Sequence, residues 1–153
     1  MLDDLIFRTI RADERDELLA LFRQMNPDDA PPPGQPALDD IWAQLLTNPA
    51  LYVFVAELDS QLVATCTLIL VPNLTRGGRP YAFIENVVTH SDYRQRGIGT
   101  RLLQYVLDFC WERRCYKVML LTGRHDEAVH RFYEKAGFSK TTKTGFTAYR
   151  LDD

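Results

Sequence analysis

The sequence predicts a mixed α/β (α+β) fold, a mostly antiparallel twisted sheet of about seven strands with about four helices, from three features. Three apolar runs between residues 51 and 89 are separated by short turn signals. A strand, a helix and a further strand follow one another between residues 82 and 121. Two short runs then flank Gly145 near the end.

Taken in order, Leu5 to Ile10 reads as a short strand, and Asp13 as an acidic cap for a helix from Glu14 to Met25 with Leu18, Phe22 and Met25 at helical spacing. Asn26 to Pro36 carries Pro27, Pro31, Pro32, Pro33, Gly34 and Pro36, which exclude a helix interior and make a loop. A second helix, Leu38 to Leu46, sets Ile41, Leu45 and Leu46 on one side. Leu51 to Glu57 is rich in the β-branched and aromatic residues that suit strands, and Asp59-Ser60 turns the chain into Leu62 to Val71. Pro72 to Pro80 turns it again into Ala82 to Thr89, completing a meander.

The period then changes to that of a helix, with Ile98, Leu102, Val106, Phe109 and Cys110 on one stripe. Tyr116 to Leu121 is short and apolar enough for a buried strand, so a parallel crossover is expected. The last helix, Asp126 to Ala136, aligns Val129, Phe132, Tyr133 and Ala136 and stops at Gly137. Phe138 to Lys143 and Phe146 to Leu151 are expected to form a terminal hairpin.

With 153 residues, 46% hydrophobic and 25% charged, one domain spanning 1–153 with a single core is expected. A net charge of −3 provides no overall positive field, so neither nucleic acid nor an anionic membrane is an expected partner. The apolar runs are too short to cross a bilayer, and the start of the chain carries acids rather than a basic leader. Cys66, Cys110 and Cys115 have no metal-binding spacing and are odd in number, which points to a reducing cytoplasm and no metal.

The most informative stretch is Val87-Val88-Thr89-His90-Ser91-Asp92-Tyr93-Arg94-Gln95-Arg96-Gly97-Ile98-Gly99-Thr100. It joins a strand end, a basic glycine-containing turn and a helix start. Free N–H groups and the dipole of a helix start favour an anion, and glycine lets phosphate approach the backbone. Neither GxGxxG nor GK[ST] is present, which leaves a pattern of the form [R/Q]xxGxG/A.

Arg94-Gln95-Arg96-Gly97-Ile98-Gly99 resembles the pyrophosphate loop of the GNAT superfamily of acetyl-CoA-dependent N-acetyltransferases. Ala128 to Phe138, containing Phe132-Tyr133-Glu134-Lys135, is similar to that family's helix ending in FYEKxGF. The resemblance covers Glu57 to Leu151, and it implies a sheet splayed at the acetyl-CoA site. It further implies that Val87, Val88 and Thr89 meet the acetyl and pantetheine part, while Arg94 and Gln95 to Thr100 (Gln95, Arg96, Gly97, Ile98, Gly99, Thr100) hold the pyrophosphate. Asp126 stands where the family commonly has Asn against the cofactor arm; Asp is isosteric but anionic, and a plain N-cap of the last helix is the favoured role for it.

Direct acetyl transfer requires an unprotonated amine, stabilisation of charge at the thioester and a proton for the leaving thiolate. The resemblance makes Tyr133 the general acid. Glu85, in Phe83-Ile84-Glu85-Asn86-Val87, is the base candidate, and period-two alternation puts it on one face with Phe83 and Val87. A salt bridge or an edge position is the alternative for Glu85, and a core position for Tyr133. His90 reads as a loop residue, and His125 and His130 as solvent-facing or capping residues.

Ile84 to Val88, Cys115-Tyr116-Lys117 and Phe132 to Lys135 are similar to glucosamine-phosphate acetyltransferases, so a small-molecule amine or amino sugar is the first expected acceptor. A protein lysine or N-terminus is the second. A non-catalytic acyl-CoA-binding sensor is the reading from another class. Acceptor contacts are expected from Asn26 to Asp40 and Lys140 to Ala148, Arg76, Arg79 and Arg124 are available for a phosphate or carboxylate, and Phe146 to Leu151 is an edge through which a homodimer is possible.

Overall fold

A computed structural model describes residues 4–150. Five strands form one sheet in the order β1-β2-β3-β4-β5: β1 Ile6–Thr9, β2 Leu51–Leu58, β3 Gln61–Val71, β4 Tyr81–Thr89 and β5 Val118–Leu120. The pairs are antiparallel except β4 with β5, which is parallel. Four longer helices occupy the expected stretches: α1 Arg15–Met25, α2 Ala37–Thr47, α4 Ile98–Glu112 and α5 Glu127–Ala136. A short helical turn, α3 (Thr75–Gly78), lies within the β3–β4 connection.

The hairpin between β2 and β3 is a two-residue turn in which Asp59 and Ser60 both take positive φ, matching the twist of the flanking strands. Phe54, Ala56, Cys66, Leu68, Ala82 and Ile84 from the sheet pack with Ile98, Leu102, Leu103, Val106 and Cys110 of α4 in the main core. Leu21 of α1 closes a smaller core on Val55, Leu62 and Val88. The sheet is thus sandwiched, with α4 and α5 on the first face and α1 on the second.

The structure changes three expectations. Among the described residues there are five strands rather than about seven, because 139–150 forms none; Leu151 lies outside the described residues. Phe146 and Tyr149 are 92% and 83% exposed, so this segment buries no apolar face and forms no sheet pairing. The apolar side of α2 is also only partly covered, with Ile41 at 46% and Leu46 at 39% exposure.

The third change concerns β4. Thr65 pairs with Val88 and Thr67 with Glu85, so β4 spends one more residue than β3 between these pairs. Asn86, at φ 54°, takes up that residue as a bulge in the left-handed region that Asn tolerates better than most residues. Alternation therefore changes phase at Asn86. Val87 joins the main core on the face of Ala82 and Ile84, whereas Glu85 lies opposite Thr67 on the other face. Glu85 and Val87 do not share a face.

Candidate active site

Strand β4 pairs with β5 only through Ala82, Phe83 and Ile84; Glu85 to Thr89 continue with no β5 partner. The expected splay is therefore present, and the bulge sits at its apex. Between the separated strands lies a cleft of about 760 Å³, a volume suited to a bound organic molecule. Its walls include the end of β4, the loop to α4, the end of β5 and one side of α5.

Of the residues predicted from the sequence, Glu85, Val87, Val88, Thr89, Arg94, Gln95, Gly97, Ile98, Gly99, Thr100 and Tyr133 line this cleft. Arg96 and Asp126 do not. Arg96 lies over the Tyr93 ring, its guanidinium carbon 5.2 Å from the centroid. Asp126 caps α5 by accepting a 3.0 Å bond from the Val129 N–H, and its second oxygen lies 3.3 Å from Arg124 Nε. The amide bond first, and the nearby guanidinium after it, lower the Asp126 carboxyl from its ordinary value.

Helix α4 starts with free donors. Gly97 is its N-cap at φ 76° and supplies no side-chain acceptor, so the first amides of the helix remain available to a ligand. Gly99 has a different reason to be glycine: a Cβ there would lie 2.8 Å from Thr89 Oγ1 and 3.0 Å from Phe132 Cε2. The missing side chain lets the first turn of α4 approach β4 and α5 together. Arg94 Nε donates to the Thr89 carbonyl at 3.0 Å, folding the loop back on the strand end.

The cleft wall has a charge balance unlike that of the whole chain. Among the described residues it carries Arg94, Arg124, Arg131 and Lys135 and a single carboxylate, Glu85, in a protein of net charge −3. Four cations near an uncapped helix start favour a polyanion.

Tyr133 is partly buried against Phe132, with ring centroids 4.8 Å apart. Burial raises its phenol above the ordinary value; Arg124 opposes the shift, and the neighbouring Cys66 and Glu85 add to it. All three cysteines are free and buried, and none lines the cleft. Burial pushes the Cys66 and Cys110 thiols up to about 12, so neither offers a thiolate at neutral pH. His90 accepts from the Asp92 N–H at 3.2 Å, and His130 Nε2 donates to the Arg124 carbonyl at 3.1 Å, so both act as local braces.

The sequence reading missed Gln24, Met25, Thr122, Arg131 and Lys135 on the wall. Gln24 reaches in from the end of α1, accepting a 2.8 Å bond from the Ser91 N–H. Arg131 and Lys135 were findable, because a spacing of four residues on α5 places both beside Ala128 on one helix face.

The sheet splays beside a basic, uncapped helix start, and Glu85 and Tyr133 both lie on the wall of the resulting cleft, in a mixed α+β architecture. The model of the Acetyltransferase (GNAT) family matches residues 15–138, and the chain belongs to that family. A solved structure from Agrobacterium tumefaciens str. C58, a candidate acetyltransferase, is 46% identical with TM-score 0.89 and covers 95% of this chain and 99% of its own. An acetyltransferase structure from Trypanosoma brucei is 29% identical with TM-score 0.76, covering 97% and 99%. The glucosamine 6-phosphate N-acetyltransferase of Trypanosoma brucei brucei is 36% identical over 86 residues, 56% of this chain and 56% of that protein. The Arabidopsis thaliana protein of the same name is 29% identical over 83 residues, 54% of each. The chain thus spans little more than half the length of these curated relatives.

Proposed function

We propose that the chain moves an acetyl group from acetyl-CoA onto a primary amine by direct attack, with a small-molecule amine or amino sugar as acceptor. The observation that carries this reading is that Glu85 and Tyr133 line one cleft whose far end is the basic, uncapped start of α4. Acetyl-CoA, when bound, supplies an activated acyl thioester. The phosphates would be held by the α4 amides, Arg94 and the loop from Gln95 to Thr100, with Arg131 and Lys135 on the opposite wall. Val87, outside the β3 ladder at the bulge, and Val88 would align the acyl arm.

Glu85 takes the amine proton, directly or through a water, as the sole carboxylate among the described residues of the wall. Tyr133 gives a proton to the departing sulfur, a role suited to a phenol kept protonated by burial. The amino-sugar choice is supported by the relatives named glucosamine 6-phosphate N-acetyltransferase. The unpaired cysteines accord with a reducing cytoplasmic setting, and the exposed Phe146 and Tyr149 offer a surface for a homodimer. No helix of the described residues is long and apolar enough to cross a membrane, and they contain no cluster able to hold a metal ion.

Calorimetric titration with acetyl-CoA, followed by thiol release against amines, amino sugars and lysine peptides, tests this reading. Saturable binding with release is expected, ranked toward small amines. Failure to bind either acetyl-CoA or CoA overturns it, and release only with lysine peptides transfers the acceptor to proteins.

A further inference from the structure

A second cluster of charge lies at the opposite end of β4, and none of its residues lines the main cleft. The Tyr116 N–H donates to the Pro80 carbonyl at 3.0 Å and the Ala82 N–H to that of Lys117 at 3.1 Å, joining the α3 loop to the start of β5. On this frame the Tyr81 and Tyr116 rings meet edge to face, 6.4 Å between centroids. Three cations converge on them. The Arg76 and Arg79 guanidinium carbons lie 5.6 and 5.9 Å from the Tyr116 centroid, and Lys117 Nζ lies 5.4 Å from it and 5.5 Å from that of Tyr81.

Cation–π attraction explains part of this packing, yet a ring has only two faces, and each contact contributes about 0.5–1 kcal/mol at an exposed site. Among the described residues no carboxylate pairs with any of the three cations. Their charge is therefore balanced by solvent alone, in a chain of net charge −3. The loop that presents them is also held in shape: Arg76, Gly77 and Gly78 take successive positive φ values of 56°, 69° and 74°, and Asn73 Nδ2 donates to the Arg79 carbonyl at 3.1 Å.

We propose that Arg76, Arg79 and Lys117, floored by Tyr81 and Tyr116, form a binding site for a phosphate dianion. Three cations arriving from two chain segments match a multiply charged group with several acceptor oxygens; a carboxylate would satisfy one guanidinium and leave two charges bare. Tyr81 and Glu85 lie on one face of β4 ahead of the bulge, four residues and so about 13 Å apart. The site is thus separate from the transfer centre, and it does not rest on the acetyl-transfer reading.

The test is titration of the 15N-labelled full chain with inorganic phosphate, and separately with phenyl phosphate, at ionic strength held constant with KCl. Saturable amide shifts are expected at Thr75 to Arg79 and at Tyr116 and Lys117, as a set distinct from any at the Arg94 to Thr100 loop. Arg76→Gln/Lys117→Gln, and independently Arg79→Gln, should weaken binding about tenfold or more while the remaining spectrum stays in place. Tighter binding of phenyl phosphate assigns the site to an ester stacked on the tyrosines, and equal binding to free phosphate. Shifts confined to the Arg94 loop, no shift beyond the KCl control, or unchanged affinity in both variants overturns the proposal.

Discussion

The two halves of the sheet solve opposite problems. On the β1–β2 side, Arg8 is bonded to Glu14 of the α1 entry and to Glu57 of β2, and Arg11 lies 3.6 Å from Glu14 and 3.7 Å from Glu57. Each residue of β1 has a partner on β2, and Arg8 and Arg11 are matched by Glu14 and Glu57. On the β4–β5 side the pairing stops after three residues, a bulge reverses the alternation, and Arg94, Arg131 and Lys135 line the gap with no carboxylate partner among the described residues. The closed half provides rigidity from which the open half can hold apart two strands that would otherwise pair. The proposed ligand site needs that separation, and folding stability comes from elsewhere.

If this division holds, substitutions in the open half change chemistry and those in the closed half change stability. The largest effect is expected from Tyr133→Phe, which should lower kcat about 10²- to 10⁴-fold while acetyl-CoA affinity by calorimetry and the melting temperature stay nearly constant. Equal losses in affinity and kcat would make Tyr133 a packing residue. Because burial raises the phenol, the alkaline fall in wild-type kcat should come at or above the ordinary tyrosine value of 10.0.

Glu14→Gln is next, and it should act in the reverse way. It leaves Arg8 half-buried with one partner fewer, at a cost of about 3 kcal/mol by denaturant melts, with kcat of the folded protein unchanged. Arg8 holds the Glu14 carboxyl below its ordinary value, so this stabilisation is complete above pH 4.5 and is lost as pH falls through the lowered value. The gap between wild type and variant should therefore close in acid. A gap that widened in acid would contradict the ion-pair account.

Much of this division was legible in advance. The stripe from Ile98 to Cys110, the meander and the Arg94 to Thr100 turn are local patterns with one structural solution each, and all three hold. The bulge was not legible, since Asn86 fits a β-strand pattern and its extra residue is visible only against the register of β3. The terminal hairpin misled for a related reason: alternation around Gly145 states which residues would share a face, not whether a partner strand exists. Gln24 joins the cleft through a contact 67 residues away in sequence, which no local period encodes.

Gly99→Ala lies where the halves meet. Its Cβ would force back Thr89 Oγ1 and the Phe132 ring, costing about 1–3 kcal/mol of stability and shifting the α4 amides relative to β4. Acetyl-CoA affinity should fall along with stability, because one small residue serves both packing and binding. Unchanged affinity in a destabilised variant would detach the α4 start from the ligand site.

The smallest effect expected is that of Asp126→Ala, and it decides what this acid does. As a cap, its loss should lower the melting temperature by about 3 °C and leave acetyl-CoA affinity intact, since its oxygens are turned to Val129 and Arg124 rather than to the cleft. Its folded carboxyl titrates below the ordinary 3.8, so the part of the stabilisation that depends on its charge is complete above that pH and fades as pH falls through the lowered value; the gap between variant and wild type should narrow in acid. Asp126→Asn retains the capping oxygen without the charge, and should restore the melting temperature at neutral pH to near that of wild type. Should Asn instead tighten acetyl-CoA binding with no change in melting temperature, position 126 would belong to the open half of the molecule, and the charge of Asp126 would be a constraint on the ligand rather than a support for α5.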